Sequence, residues 1–195
     1  MATKLFTNRL ILRSPHFSDL NSIVEMDLNQ EVQKYLFLDV ENLTTNASDR
    51  SILRKKIKNE IKSGPPPNGS IWVLEEKSDG SFIGMISLEI APSINKLAVS
   101  FRLPQQHWGF GYATEALISV IEHAFEKLKM LELYALINPD NIGSQRVVEK
   151  AGFRRDGLLL GGPATSLGSS NSLNITIPSP RIAKASYFIY RLNKY

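Results

Sequence analysis

The run Gln106-His107-Trp108-Gly109-Phe110-Gly111 carries the clearest chemical signal in the chain. It lies between a β-rich run ending near residue 103 and an amphipathic run opening at Ala113. A glycine-rich turn in that setting leaves main-chain N–H groups unpaired and aimed at one point. The first turn of the helix adds the positive end of its dipole. Such a turn binds phosphate without a lysine. Gly109 and Gly111 let the backbone come close to a ligand because no Cβ intervenes, and Ala113 keeps the first helical turn small. Three phosphate-binding patterns compete. The P-loop needs Gly-Lys-Ser/Thr, where Gly111-Tyr112-Ala113 stands. The Rossmann fingerprint needs a third glycine, where Thr114 stands, and an opening parallel βαβ unit, whereas an antiparallel run precedes. The third pattern, Q/R-x-x-G-x-G/A, is met by Gln106, Gly109 and Gly111. Taken alone, these residues fit a purely structural glycine turn equally well.

The surrounding elements must position that turn. The spacing predicts a strand over 9–13, stopped by Pro15, and a helix over 19–27 capped by Ser18 or Asp19. Leu53, Ile57 and Ile61 recur every fourth residue and predict a helix over 48–62, ended by Gly64-Pro65-Pro66-Pro67. Segments 70–76 and 82–90 predict strands joined at Ser78-Asp79-Gly80, and 96–103 the next strand, which makes an antiparallel meander. Ala113, Ala116, Leu117, Val120, Ile121, Ala124, Phe125 and Leu128 fall on one helix face. A strand over 131–137 follows. Asn138-Pro139-Asp140-Asn141 then turns the chain into a helix over 142–151, with Gly152 at its C-terminal cap. Strands are expected from 153 and over 185–192. Residues 161–180, rich in Gly, Ser, Asn and Pro, read as a long surface loop or flexible insertion. The chain, 1–195, reads as a single domain.

Composition narrows the chemistry. Of 195 residues, 43% are hydrophobic and 22% charged, enough to build a core. The net charge of +4 is mild. The densest basic run, Arg54-Lys55-Lys56-Ile57-Lys58, fits a solvated helix face better than a nucleic-acid site. With no cysteine, disulfides, thiolate nucleophiles and Cys-based metal sites are excluded. With three histidines, no metal site is expected. There is no apolar leader and no run of about 18 apolar residues. We expect a cytoplasmic protein, monomer or homodimer, with no nucleic-acid or membrane partner.

Four blocks in order resemble the GNAT superfamily of acyl-CoA-dependent N-acyltransferases, and more narrowly its RimJ/RimL-type branch, named for ribosomal-protein N-terminal acetyltransferases. They are Thr7-Asn8-Arg9-Leu10-Ile11-Leu12-Arg13, Trp108 through Ala116 (WGFGYATEA), Asn138-Pro139-Asp140-Asn141-Ile142-Gly143-Ser144, and Glu149-Lys150-Ala151-Gly152-Phe153. The resemblance implies a mixed α/β fold. Its mostly antiparallel central sheet is splayed to admit acyl-CoA and flanked by helices. It implies acetyl-CoA as donor and a protein N-terminus or a small-molecule amine as acceptor. The strand end Phe101-Arg102-Leu103 then pairs with the pantetheine arm and polarises the thioester carbonyl. Gln106, His107, Trp108, Gly109, Phe110, Gly111, Tyr112, Ala113 and Thr114 hold the pyrophosphate. Asn141 contacts the pantetheine region, and Ser144 stands near the departing sulfur as proton donor.

This chain departs from many relatives at two places. A family tyrosine, seven residues after the asparagine, is Val148 here, and a family glutamate before the strand motif is Ala98. Glu89 on the neighbouring strand is the substitute base, or else an ordinary outward-facing residue. Direct attack by the amine fits a chain without cysteine. The alternative from another class is a non-catalytic acyl-CoA-binding or sensing domain.

Other residues have plainer readings. His107 caps or packs within the turn. His123 is expected on the solvated side of its helix, and Trp108 is expected to anchor the turn from beneath. Trp72 is expected in the core rather than, with Tyr35, lining an acceptor pocket. Glu115 suits the helix dipole.

Overall fold

The computed structural model describes residues 3–35, 46–65, 69–159 and 186–194. Residues 37–45 and the expected insertion over 161–180 lie outside the described residues.

The strands are β1 (Leu5–Phe6), β2 (Leu10–Arg13), β3 (Ser70–Glu76), β4 (Phe82–Ala91), β5 (Lys96–Arg102), β6 (Glu132–Ile137), β7 (Arg154–Leu159) and β8 (Tyr187–Asn193). They form one sheet in the order β1-β2-β3-β4-β5-β6-β8-β7. Every neighbouring pair is antiparallel except β5 and β6. That parallel pair meets in register only at Ala98 and Tyr134, so the sheet opens beyond this point. The helices are α1 (Leu20–Leu28), α2 (Gln30–Gln33), α3 (Ala47–Ser63), α4 (Tyr112–Glu122) and α5 (Ile142–Lys150). The expected mixed α/β sheet is present.

Strand alternation divides the core between the two sheet faces. Trp72, Leu74, Ile86, Leu88, Leu97 and Val99 pack with Leu117, Val120 and Val148, on the α4 and α5 side. Val73 and Met85 point the other way, onto Leu20, Ile23 and Val24 of α1 and Leu53 and Ile57 of α3. Each such fully buried aliphatic side chain stabilises the fold by roughly 1.5–3 kcal/mol. Trp72 is in the core as expected, and its indole Nε1–H donates to the Thr3 carbonyl at 2.7 Å.

Three local expectations fail for identifiable reasons. Asp19 does not cap α1. Its carboxylate instead accepts the His16 amide at 2.7 Å and two guanidinium N–H groups of Arg13 at 2.7 and 2.8 Å. The chain enters α1 through a short 3-10 turn, Phe17–Asp19. Leu128 does not join the buried face and is 44% exposed. The helix ends in a π turn, His123–Lys127, where the Leu128 amide reaches back five residues to the His123 carbonyl. The extra residue rotates Leu128 out of the stripe.

His123 is buried, not solvated. It lies three residues after Val120 and seven after Ala116, both fully buried, so helical spacing turns it inward. Its ring meets Trp72 edge-on at 5.9 Å, and its Nδ1 has no hydrogen-bond partner among the described residues. Burial first, and the charge of Lys127 second, push its pKa below the ordinary imidazole value. The unfolded chain therefore binds the proton more readily than the folded one. Stability is intact above about pH 6.5 and falls as the pH drops below that value. His123→Leu is expected to remove this part of the acid sensitivity. Urea unfolding at pH 7.5 and pH 5.5 measures it, and an equal drop in the variant would show that His123 has no share.

Candidate active site

The glycine turn follows β5 directly. Pro104 leads into a 3-10 turn, Gln105–His107, closed by the His107 amide on Pro104 and the Trp108 amide on Gln105. Gly109 and Gly111 both adopt positive φ, 83° and 81°, which favours glycine. A Cβ built on Gly109 would meet nothing within 4 Å. Gly111 is the N-cap of α4 and has no side chain to cap it. Its carbonyl takes the first helical hydrogen bond, from the Glu115 amide at 3.0 Å. Among the described residues, nothing accepts from the amides of Gly109, Phe110, Gly111, Tyr112, Ala113 or Thr114. This is the open donor cluster that phosphate binding requires.

The cluster is narrower than the residue types suggest. The amides of His107 and Trp108 are spent inside the 3-10 turn, so they offer no main-chain donor. Trp108 does not sit beneath the turn either, being 43% exposed. It anchors by its polar edge instead: Nε1–H donates to the Leu103 carbonyl at 2.8 Å. That bond ties the turn to the end of β5 and takes up the Leu103 carbonyl. His107 packs edge-on against Tyr112 at 6.3 Å. Gln106 is exposed and Phe101 leans on the α4-side core.

Beyond Ala98 the side of β5 facing β6 has no ladder partner among the described residues, which leaves main-chain groups near Phe101 open to a ligand. On the far side of that gap, Asn141 caps α5, its Oδ1 accepting the Ser144 amide at 3.0 Å. Gln145 braces the turn by donating to the Pro139 carbonyl at 2.7 Å. Ser144 thus sits in the first turn of α5, half-buried, one turn before the fully buried Val148. Val148 is fully buried in the core, where the family tyrosine would stand.

The structure brings Glu89 directly opposite Ala98 in the β4–β5 register. Cross-strand partners share a face, so Glu89 places a carboxylate beside the position where the resemblance expects one. Burial pushes its pKa up, against a hydrogen bond from Ser87 and the charge of Arg102. Glu89 is half-buried, not simply outward-facing.

Residue types alone did not reveal its company. Ser87 and Ser100 face each other across the strands, their hydroxyls 2.8 Å apart. One step on, Arg102 donates through Nε to buried Asp27 of α1 at 2.8 Å. Burial raises the Asp27 pKa in spite of Arg102. Burial also raises Glu60 of α3, against Lys56 and Arg102. The signal for this cluster was available: Met85, Ser87 and Glu89 alternate along β4, so two polar residues follow an apolar one on a single face. Ser144 and Glu89 share no hydrogen bond among the described residues; Glu89 lies on β4 opposite Ala98 of β5, and Ser144 lies in α5, which follows β6.

Comparisons with known proteins agree with this architecture. The model of the acetyltransferase (GNAT) domain matches residues 9–154. The chain is 28% identical over 156 residues to YoaA of Bacillus subtilis, an uncharacterized N-acetyltransferase, covering 80% of this chain and 85% of that one. Among solved structures, a GNAT-family acetyltransferase from Bacillus anthracis superposes with a TM-score of 0.70 at 20% identity, covering 98% of each chain. RimJ of Mycobacterium smegmatis, in complex with CoA-disulfide, superposes with a TM-score of 0.71 at 17% identity, over 98% of this chain and 88% of that one. These last two likenesses speak to the fold. The chain belongs to the GNAT acetyltransferases and is an acyltransferase enzyme.

Proposed function

We propose that the protein transfers the acetyl group of acetyl-CoA directly to an amine, and that it belongs with the RimJ/RimL-type branch. The observation that carries this reading is the set of unpaired amides from Gly109 to Thr114 at the start of α4. A diphosphate needs several converging donors and no side-chain obstruction, and the turn offers both. The open flank of β5 is a second fit, since an extended arm with amide groups can pair with it as a strand does.

Acetyl-CoA supplies an activated thioester when bound. The turn residues Gly109 to Thr114 would hold its diphosphate. Main-chain groups near Phe101 would orient the arm and polarise the carbonyl. Asn141, its Oδ1 already engaged, has its side-chain N–H groups left to donate. Ser144 would protonate the departing sulfur. Glu89 would take the proton that a cationic amine must lose before it attacks. Asp27, Glu60 and Glu89 around Arg102 make that side of β4 and β5 suited to a positively charged acceptor. Protein N-termini and small-molecule amines both meet this description.

Release of free CoA across an amine panel, with N-terminal peptides and small polyamines as arms, tests the reading. Binding of CoA with no amine-dependent release would favour a sensing domain instead. Glu89→Gln is expected to lower kcat roughly 100-fold or more. Glu89 works as a base only when ionised, and its pKa is raised, so the wild-type rate should fall as pH drops through that raised value. The variant should lack this acid limb. An unchanged limb in the kcat/KM profile would remove Glu89 as the base.

A further inference from the structure

Arg9, the residue before β2 in the turn after β1, reaches the glycine turn from far away in the chain. Its guanidinium NH1 donates to the Phe110 carbonyl at 3.0 Å, and its planar group lies 4.3 Å from the centre of the Tyr112 ring. Its Nε and NH2 each approach Glu115 Oε2 at 2.7 Å. The Arg9 amide adds a 2.7 Å bond to the other carboxylate oxygen, and the Thr7 hydroxyl a 2.6 Å bond. The resemblance gives Arg9 no role at the turn, and the preference of Glu115 for a helix start accounts for only one side of this contact.

We propose that Arg9 is a positioning residue for the diphosphate site: by holding the Phe110 carbonyl it aims the Gly111 amide at the ligand. This rests on the reading of the turn given above. The physics is that of one peptide group. The Phe110 carbonyl and the Gly111 N–H belong to the same planar unit, and no peptide bond in the described residues is cis. A carbonyl turned toward Arg9 therefore turns the Gly111 N–H to the opposite side, away from Arg9. Without that hold, the Phe110–Gly111 peptide turns more easily, since Gly111 on its far side sits at positive φ and has no Cβ to resist the rotation.

A second effect adds to this. Glu115 stands one turn into α4, where a carboxylate competes with an anionic ligand for the helix dipole. Burial alone would raise its pKa, but the bonds from Thr7 and Arg9 prevail and keep it ionised. Arg9 balances that charge, so the mouth of the site is not negative.

The test compares two donors on the purified full chain. Acetyl-CoA carries the diphosphate, whereas acetyl-pantetheine lacks it but keeps the arm and thioester. Arg9→Ala is expected to raise KM for acetyl-CoA roughly tenfold, as loss of one well-placed charged contact does. Its kcat should hold within about twofold, and kcat/KM for acetyl-pantetheine should not change. Arg9→Lys keeps a charge for Glu115 but has no fork to hold Phe110 as well. It should show the same selective rise, and it carries the test should Arg9→Ala fold poorly. If both donors suffer equally, or neither does, while the wild type still favours acetyl-CoA strongly, Arg9 is only a staple and the inference fails alone. If the wild type does not distinguish the donors, the reading of the turn fails and takes the inference with it.

Discussion

Gly111→Asp is expected to fold, at a modest cost in stability for a side chain at positive φ, and to bind coenzyme A roughly a hundredfold more weakly, about 2.7 kcal/mol. The folding half of this follows from local geometry. Gly111 has φ of 81°, and aspartate is among the side chains that tolerate this region best. A Cβ there meets only Arg9 NH2, at 3.6 Å, an ordinary contact with a cationic neighbour. The binding half follows from charge. The new carboxylate would engage the same amides that the diphosphate needs, and it would repel the anion it displaces. Isothermal titration with CoA, beside a thermal melt, measures both. A folded variant with undiminished affinity would mean that the diphosphate lies elsewhere.

Gly84→Ala should cost the fold about 3 kcal/mol or more. The position is crowded by main chain. An added Cβ would lie 2.6 Å from the Arg102 carbonyl oxygen, 2.7 Å from Leu103 Cγ and 3.0 Å from Leu103 Cα. A carbonyl in a paired strand cannot step aside as a side-chain tip can, so β4 and β5 must part. Overpacking of this kind costs about 1–3 kcal/mol, and the φ of 155° adds backbone strain of similar size. For a chain of this length the melting temperature should drop by about 6–12 °C. The damage falls next to the site, because Leu103 holds Trp108 and through it the turn. A melt within 2 °C of wild type would show that the strands separate more easily than the register suggests.

Much of the fold was legible because the signals were local. The strand 70–76 and the Asp79-Gly80 turn have the bounds that alternation and turn chemistry predict. Asp79 caps the turn by accepting the Ser81 amide at 2.9 Å. Gly152 closes α5 with φ of 97° for the same reason. The two-residue strand β1 and the four-residue helix α2 were not legible, since elements so short carry no period. The site divides in the same way. Its glycines and its Asn141 cap are properties of a few consecutive residues. The Glu89–Ser87–Ser100 group and the Arg9–Glu115 clasp join residues far apart in the chain, and only the strand order brings them together. His123 was misread because its polarity was weighed above its spacing.

The lone rung between β5 and β6 has a mechanical consequence. The five strands from β1 to β5 and the three from β6 to β7 are two plates fastened at one point along their shared edge. Among the described residues, no other β5–β6 rung joins the rest of that seam. An extended guest laid along it would act as a missing strand and weld the plates, so part of the stiffness of the working enzyme would come from what it carries.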